Sequence, residues 1–227
     1  MPRRGLEFRA GHAYHLYSRG VNRQRIFFES ENYAFFLRRV RTYLTPETVD
    51  VVAYCLMPNH YHLFVCLKAD SLAEMMRSLN MSFARAVNKR YDRVGPLFQG
   101  RFAAKLVERD EYLLHLSRYI HLNPVEAGLV DKAEAWEYSS YRDFVDLRNG
   151  TLPKPDIALS LLGPSVAKSP AQSPGDFESP GDCRDCRPGD LACESTAIAQ
   201  RIYRDFVESY CEPDLPAVGH LLIDKDI

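Results

Sequence analysis

Apolar and polar positions recur with two different periods over the first 125 residues, and the order of those periods predicts a fold. "AYHLYSRG" (13–20) alternates and reads as a strand, and "VNRQRIFF" follows it as a basic turn running into apolar residues. In "SENYAFFLRRVRTYL", Tyr33, Phe36, Leu37, Val40 and Leu44 fall at helical spacing, with Ser30 as the expected N-cap and Pro46 ending the segment. "VDVVAYCLMP" and "HYHLFVCL" read as two consecutive strands joined by "MPN". A second helix is predicted over "SLAEMMRSLNMSFARAVNKRY", with Leu72, Met75, Met76, Leu79, Phe83 and Val87 as its buried stripe. "VGPLFQGRFAAKLVE" is a turn into a fourth strand. "RDEYLLHLSRYIHLN" is a third helix, capped by Asp110 and closed where Pro124 forces Asn123 out of helical geometry.

Strand, helix, strand, strand, helix, strand, helix is the order of an α+β fold. The specific expectation is a ferredoxin-like split βαβ antiparallel sheet with helices on one face and an added C-terminal helix. This domain is expected to occupy residues 1–150. Residues 151–227 form a C-terminal extension in which "SVAKSPAQSPGDFESPGD" has no period and is rich in Ser, Pro and Gly. A partly disordered linker is therefore expected over about 164–195. "STAIAQRIYRDFVESY" regains a helical pattern and predicts a final helix over about 196–211 that packs back on the body.

Composition adds little to this, but charge does. The net charge of -1 conceals 17 Lys and Arg against 8 Asp and Glu in residues 1–105, and 7 against 13 in residues 151–227. The first part is the one suited to a polyanion, and Arg supplies most of its positive charge. No apolar run approaches the roughly 20 residues of a membrane helix, and the N-terminal residues lack a secretory apolar stretch, so a cytoplasmic protein without membrane contact is expected. Cys55 and Cys66 read as buried thiols, whereas Cys183, Cys186, Cys193 and Cys211 lie in the acidic part with spacing open to a zinc knuckle or disulfides.

"CLMPNHYHLFVCL" (55–67) places His60 and His62 two residues apart inside an apolar strand. With a side-chain period of two, both rings point to one face and Tyr61 to the other. A hydrogen-bonded surface pair is the plain explanation of such a doublet, and a metal site is the alternative. The third predicted helix offers Tyr119 and Asn123 on one face, with His115 a turn earlier. Laid against the sheet, that helix would bring a phenol and an amide oxygen to the imidazoles. A divalent ion held by His60, His62 and Asn123 would polarise a scissile phosphate, and the Tyr119 phenol could attack it to give a phosphotyrosine. Paired imidazoles suit zinc at least as well as magnesium. His115 and His121 read as surface or packing residues.

"MPNHYHLF" resembles the H-hydrophobic-H motif of the HUH single-strand endonucleases and transposases. "SRYIHLNPVEAGLV" resembles the tyrosine-bearing helix of the REP-associated tyrosine transposases, and "YHLYSRGVNRQRIFF", "NKRYDRVGPLFQGRF" and "WEYSSYRDF" resemble further family blocks in the same order. The resemblance implies a metal-dependent endonuclease and strand transferase in which His60, His62 and Asn123 bind Mg2+ or Mn2+ and Tyr119 forms a 5′-phosphotyrosine. Its implied partner is single-stranded DNA that folds into palindromic hairpins. Monomer and homodimer both remain open. Arg19, Asn22, Arg23 and Arg25 in the first loop, Arg85, Asn88, Lys89 and Arg90 on the second helix, and Gln99 and Arg101 near the fourth strand are the DNA-binding candidates, with Tyr14, Tyr17 and Tyr91 available to stack on bases. The alternative is a catalytically idle module of the same fold that grips DNA or RNA hairpins. A zinc hydrolase of barrel type is disfavoured, because such barrels run to about 250 residues and need further ligands.

Overall fold

The computed structural model describes residues 6–108, 110–162 and 190–209. Strands β1 (Ala13–Arg19), β2 (Val49–Met57), β3 (His60–Leu67) and β4 (Ala103–Val107) form one antiparallel sheet in the order β2-β3-β1-β4. Helix α1 (Ser30–Tyr43) joins β1 to β2, α2 (Leu72–Arg90) joins β3 to β4, and α3 (Asp110–Glu126) follows β4. This is the expected split βαβ order, with the first and third strands at the centre.

Alternation along the central strands feeds two cores. Tyr14 and Leu16 of β1 and Tyr61, Leu63 and Val65 of β3 bury against Tyr33, Phe36 and Val40 of α1 and Met76, Leu79 and Phe83 of α2. Tyr61 faces this core as its strand position requires, and its hydroxyl donates to Asn80 Oδ1 at 2.8 Å. Tyr14 is 1 % exposed and its ring belongs to the same core, so it is not available to stack on a base. On the other face, Val52, Ala53, Cys55 and Met57 of β2 pack with Leu113, Leu116 and Ile120 of α3. A bulge between Val51 and Ala53 turns Val52 and Ala53 together toward α3. Helices α1 and α2 share one face as predicted, and α3 lies on the opposite one.

Among α1 to α3, two helix boundaries differ from the sequence expectation. Ser30 is the first residue of α1, not its cap, and Glu29 precedes it without a side-chain capping bond. The Asn32 side chain instead receives the Phe28 N–H at 2.9 Å. Helix α3 runs through Pro124 to Glu126. The proline lacks a donor for the preceding turn, but the Asn123 carboxamide nitrogen donates to the Tyr119 carbonyl at 2.8 Å within that turn. The true stop is a Schellman motif: Gly128 N–H reaches Val125 O and Leu129 N–H reaches Pro124 O, both at 2.9 Å, with Gly128 at φ +65°.

Past the sheet, the chain covers the edge of β2. Leu56 N–H donates to Tyr138 O and Ser140 N–H to Tyr54 O, with Cys55 and Ser139 forming a bridge. Short helices α4 (Tyr141–Phe144) and α5 (Asp156–Leu159) follow, and α6 (Asp190–Glu208) packs back on α3, beginning earlier than expected. Fully buried His121 ties these parts together, with Nδ1 at 2.8 Å from the Tyr203 hydroxyl and Nε2 at 2.7 Å from Ser140 Oγ. Cys55 is a buried thiol and Cys66 a half-buried one. Most of the linker expected over about 164–195, together with Cys183, Cys186 and Cys211, lies outside the described residues, as does the side chain of Cys193.

A Cβ added at Gly128 meets nothing within 4 Å, so Gly128→Ala tests the left-handed backbone alone. Urea denaturation is expected to show a loss of about 1 kcal/mol with an unchanged m-value.

Candidate active site

The register of β1 on β3 sets what surrounds the paired histidines. Tyr17 stands opposite His62 and Arg19 opposite His60, all on the face that α3 covers. His15, one strand pleat away, stacks on His62 with centroids 5.2 Å apart and brings Nε2 to 3.0 Å from His62 Nδ1. The His60 and His62 rings lie 4.9 Å apart, edge to face. From α3, the Tyr119 ring stands edge-on to both neighbours, at 5.7 Å from His62 and 6.2 Å from His15. Asn123 follows Tyr119 by one turn. The structure therefore brings together the phenol, the amide and both imidazoles that the sequence singled out.

His15 and His62 are fully buried and His60 nearly so. Burial is the largest influence on both members of the pair, holding His60 down to about 4 and His62 well below the ordinary imidazole range. The Asn123 side chain opposes this for both rings by favouring their charged forms, while Arg19 pushes His60 lower and the neighbouring His60 and His15 push His62 lower. Neutral rings are what a metal requires of imidazole.

Hydrogen bonds then decide which nitrogens are presented. His60 Nδ1 lies 2.7 Å from Asn59 Oδ1, which only accepts, so Nδ1 carries the proton and Nε2 keeps its lone pair. His62 has Nδ1 occupied by His15, and its buried Nε2 has no hydrogen-bond partner. Asn123 commits its nitrogen to the Tyr119 carbonyl, leaving Oδ1 as its remaining polar atom beside the rings. Two imidazole nitrogens and an amide oxygen form a donor set that fits a divalent cation, with the orphaned Nε2 of His62 as its most direct sign. No three His, Cys, Asp or Glu side chains gather as metal ligands among the described residues.

The basic candidates divide into two groups. Gly20 N–H donates to Asn59 O, the Asn59 carboxamide to Arg23 O, and the Arg19 guanidinium to Gln99 Oε1, which gathers the first loop and Gln99 at the His60 end of the sheet. A Cβ at Gly20 would lie 2.0 Å from Gln24 O, so only glycine permits this loop. Asn22 and Arg23 hold φ of 50° and 58°, and both they and Arg25 are exposed. Arg85, Asn88, Lys89 and Arg90 lie on α2 across the sheet. There Arg90 pairs with Glu29 at 2.6 Å and Asn88 donates to Gly95 O at 2.9 Å, so those two have structural work of their own. Arg101 is exposed next to Phe102, and Tyr91 hydrogen-bonds Glu29 and Asn32. His115 sits against Phe206 and Arg118 and does not join the imidazole cluster.

His15 was not among the residues that sequence reasoning selected. A signal for it exists: in "AYHLYSRG" the residues between Tyr14, Leu16 and Ser18 must face the other way, and pairing of the two central strands sets that face beside His62.

Residues 9–123 match the family model described as Transposase IS200 like. A REP-associated tyrosine transposase of Haemophilus influenzae is 31% identical over 103 residues, covering 40% of this chain. The chain spans 58% of the length of that curated relative. A solved REP-associated tyrosine transposase bound to a REP hairpin superposes with a TM-score of 0.56 at 16% identity, over 68% of this chain and 98% of that one, which is a likeness of fold.

Buried His121 is held down to about 3 by desolvation, with Arg148 adding to the effect. Because the unfolded chain then protonates first, near its ordinary value of about 6.5, stability is expected to fall as pH drops from about 6.5 toward 3, by up to about 1.4 kcal/mol per pH unit for this group. Urea denaturation at pH 7, 6 and 5 should show a shallower pH slope for His121→Gln than for the wild type.

Proposed function

The chain belongs to the IS200-like transposase family, and on that footing we propose that it is a metal-dependent endonuclease and strand transferase for hairpin-forming single-stranded DNA. The observation that carries this is the Tyr119 ring 5.7 Å from His62, whose buried Nε2 lacks a partner. His60, His62 and Asn123 would hold Mg2+ or Mn2+, which supplies Lewis-acid polarisation and neutralises charge developing on a scissile phosphate.

The protein's own groups do the rest. Arg19 with Gln99, and the exposed Asn22, Arg23 and Arg25 on the adjoining loop, lie where phosphates approaching His60 would pass. Tyr119, once its hydroxyl loses a proton, attacks phosphorus. A tyrosyl O–P bond forms, the P–O3′ bond breaks, and the departing 3′ oxygen takes up a proton, leaving a 5′-phosphotyrosine. A 3′ hydroxyl from another end reverses the step by attacking the same phosphorus, so ends are joined without ATP. The hairpin substrate is supported by the fold shared with a transposase captured on a REP hairpin. No described helix is long and apolar enough to cross a membrane.

Incubation with Mn2+ and labelled single-stranded hairpins, followed by a denaturing gel, is expected to show a covalent adduct that Tyr119→Phe reduces by about 10³-fold or more. Retention of the adduct in that variant would move the nucleophile elsewhere. Hairpin binding with no adduct under Mg2+ or Mn2+ would mean an idle binding module.

A further inference from the structure

We infer that His15 is a positioning residue of this site, holding His62 in the tautomer whose bare Nε2 faces the cation position. The inference rests on the metal-site reading above and extends it to a residue that no motif identified. The hydrogen bond between His15 Nε2 and His62 Nδ1, 3.0 Å long, joins two rings that are both fully buried. Only one proton can lie between them. Placed on His15, it leaves His62 with a buried Nε2–H that makes no hydrogen bond in the structure. Placed on His62 Nδ1, it leaves Nε2 as a lone pair directed to the place where His60 and Asn123 also present donors. Orphaned buried N–H groups are the rarer fault in folded proteins, so the second arrangement is preferred.

His15 is also built to hold its place. It lies on central strand β1 with β3 on one side and β4 on the other, opposite Phe64 and Lys105. Tyr17 flanks its ring at 5.3 Å and the Tyr119 ring meets it edge-on at 6.2 Å. One rigid imidazole thus contacts both a proposed ligand and the proposed nucleophile. Outer partners that fix a ligand's tautomer in this way commonly change metal affinity by about 10–100-fold when removed.

The test uses the full chain labelled with ¹⁵N-histidine. Long-range ¹H–¹⁵N spectra of the metal-free wild type are expected to show His62 protonated at Nδ1, and Mn2+ titration followed by EPR is expected to show binding. His15→Phe, which keeps a ring and removes the nitrogen, should weaken Mn2+ by about 10–100-fold and lose the single tautomer. His15→Gln, whose amide oxygen can accept from Nδ1–H, should recover most of both. An Nε2–H tautomer in the wild type overturns the inference, as does Mn2+ affinity in His15→Phe equal to the wild type's. The wild-type spectrum needs no variant, so misfolding of His15→Phe leaves the inference open to refutation. Absence of Mn2+ binding by the wild type, with the expected tautomer present and lost in His15→Phe, would uphold the hold on His62 while removing the metal site itself.

Discussion

The antiparallel pairing of β1 with β3 at the centre of the sheet is the contact from which both the core and the site follow. A shift of one residue in that register would send Tyr61, Leu63 and Val65 out of the α1–α2 core and put the imidazoles into it. The buried aromatic set therefore protects the site indirectly. Phe36, Phe83 and Phe98 around Tyr61 lock the odd-numbered side of β3, and His60 and His62 have no alternative but to face α3.

That face accommodates His15 and His62 fully buried and His60 nearly so, and burial holds both His60 and His62 to their neutral forms. Each ring nitrogen directed at the protein meets a partner, Asn59 for His60 and the other imidazole for His15 and His62. Full solvation would favour the protonated forms at moderately low pH, and desolvation removes that option. The result is a set of imidazoles packed together beneath α3.

Most of the architecture was legible because the apolar periods are clean: period two in β1 and β3, and helical spacing in α1, α2 and α3. The H-x-H doublet and the Tyr119–Asn123 spacing were also visible, since they depend only on strand alternation and on one helical turn. What could not be read was the residue-by-residue register of the long-range strand pairs. His15 acquires meaning only when β1 lies beside β3, forty-seven residues away in the chain. Pro124 misled for a related reason: a proline argues for a helix end locally, but the helix runs through it to the stop at Gly128. Ser30 was misplaced by one position: it is the first helical residue, and Glu29 before it makes no side-chain cap. Asn88 and Arg90 also hold contacts within the protein, to the Gly95 carbonyl and to Glu29, that no local pattern announced.

The neighbours of Tyr119 add a mechanical consequence. Arg118 lies over the Phe206 ring at 4.0 Å and donates to its carbonyl, and His121 is bonded to Tyr203, so α6 grips α3 on either side of the phenol. A phenol on so firmly clasped a helix is a fixed post. In the proposed exchange of strand ends, the moving part is then the sugar–phosphate chain, and the slack needed to swap one end for another has to come from unpaired nucleotides beside the hairpin stem.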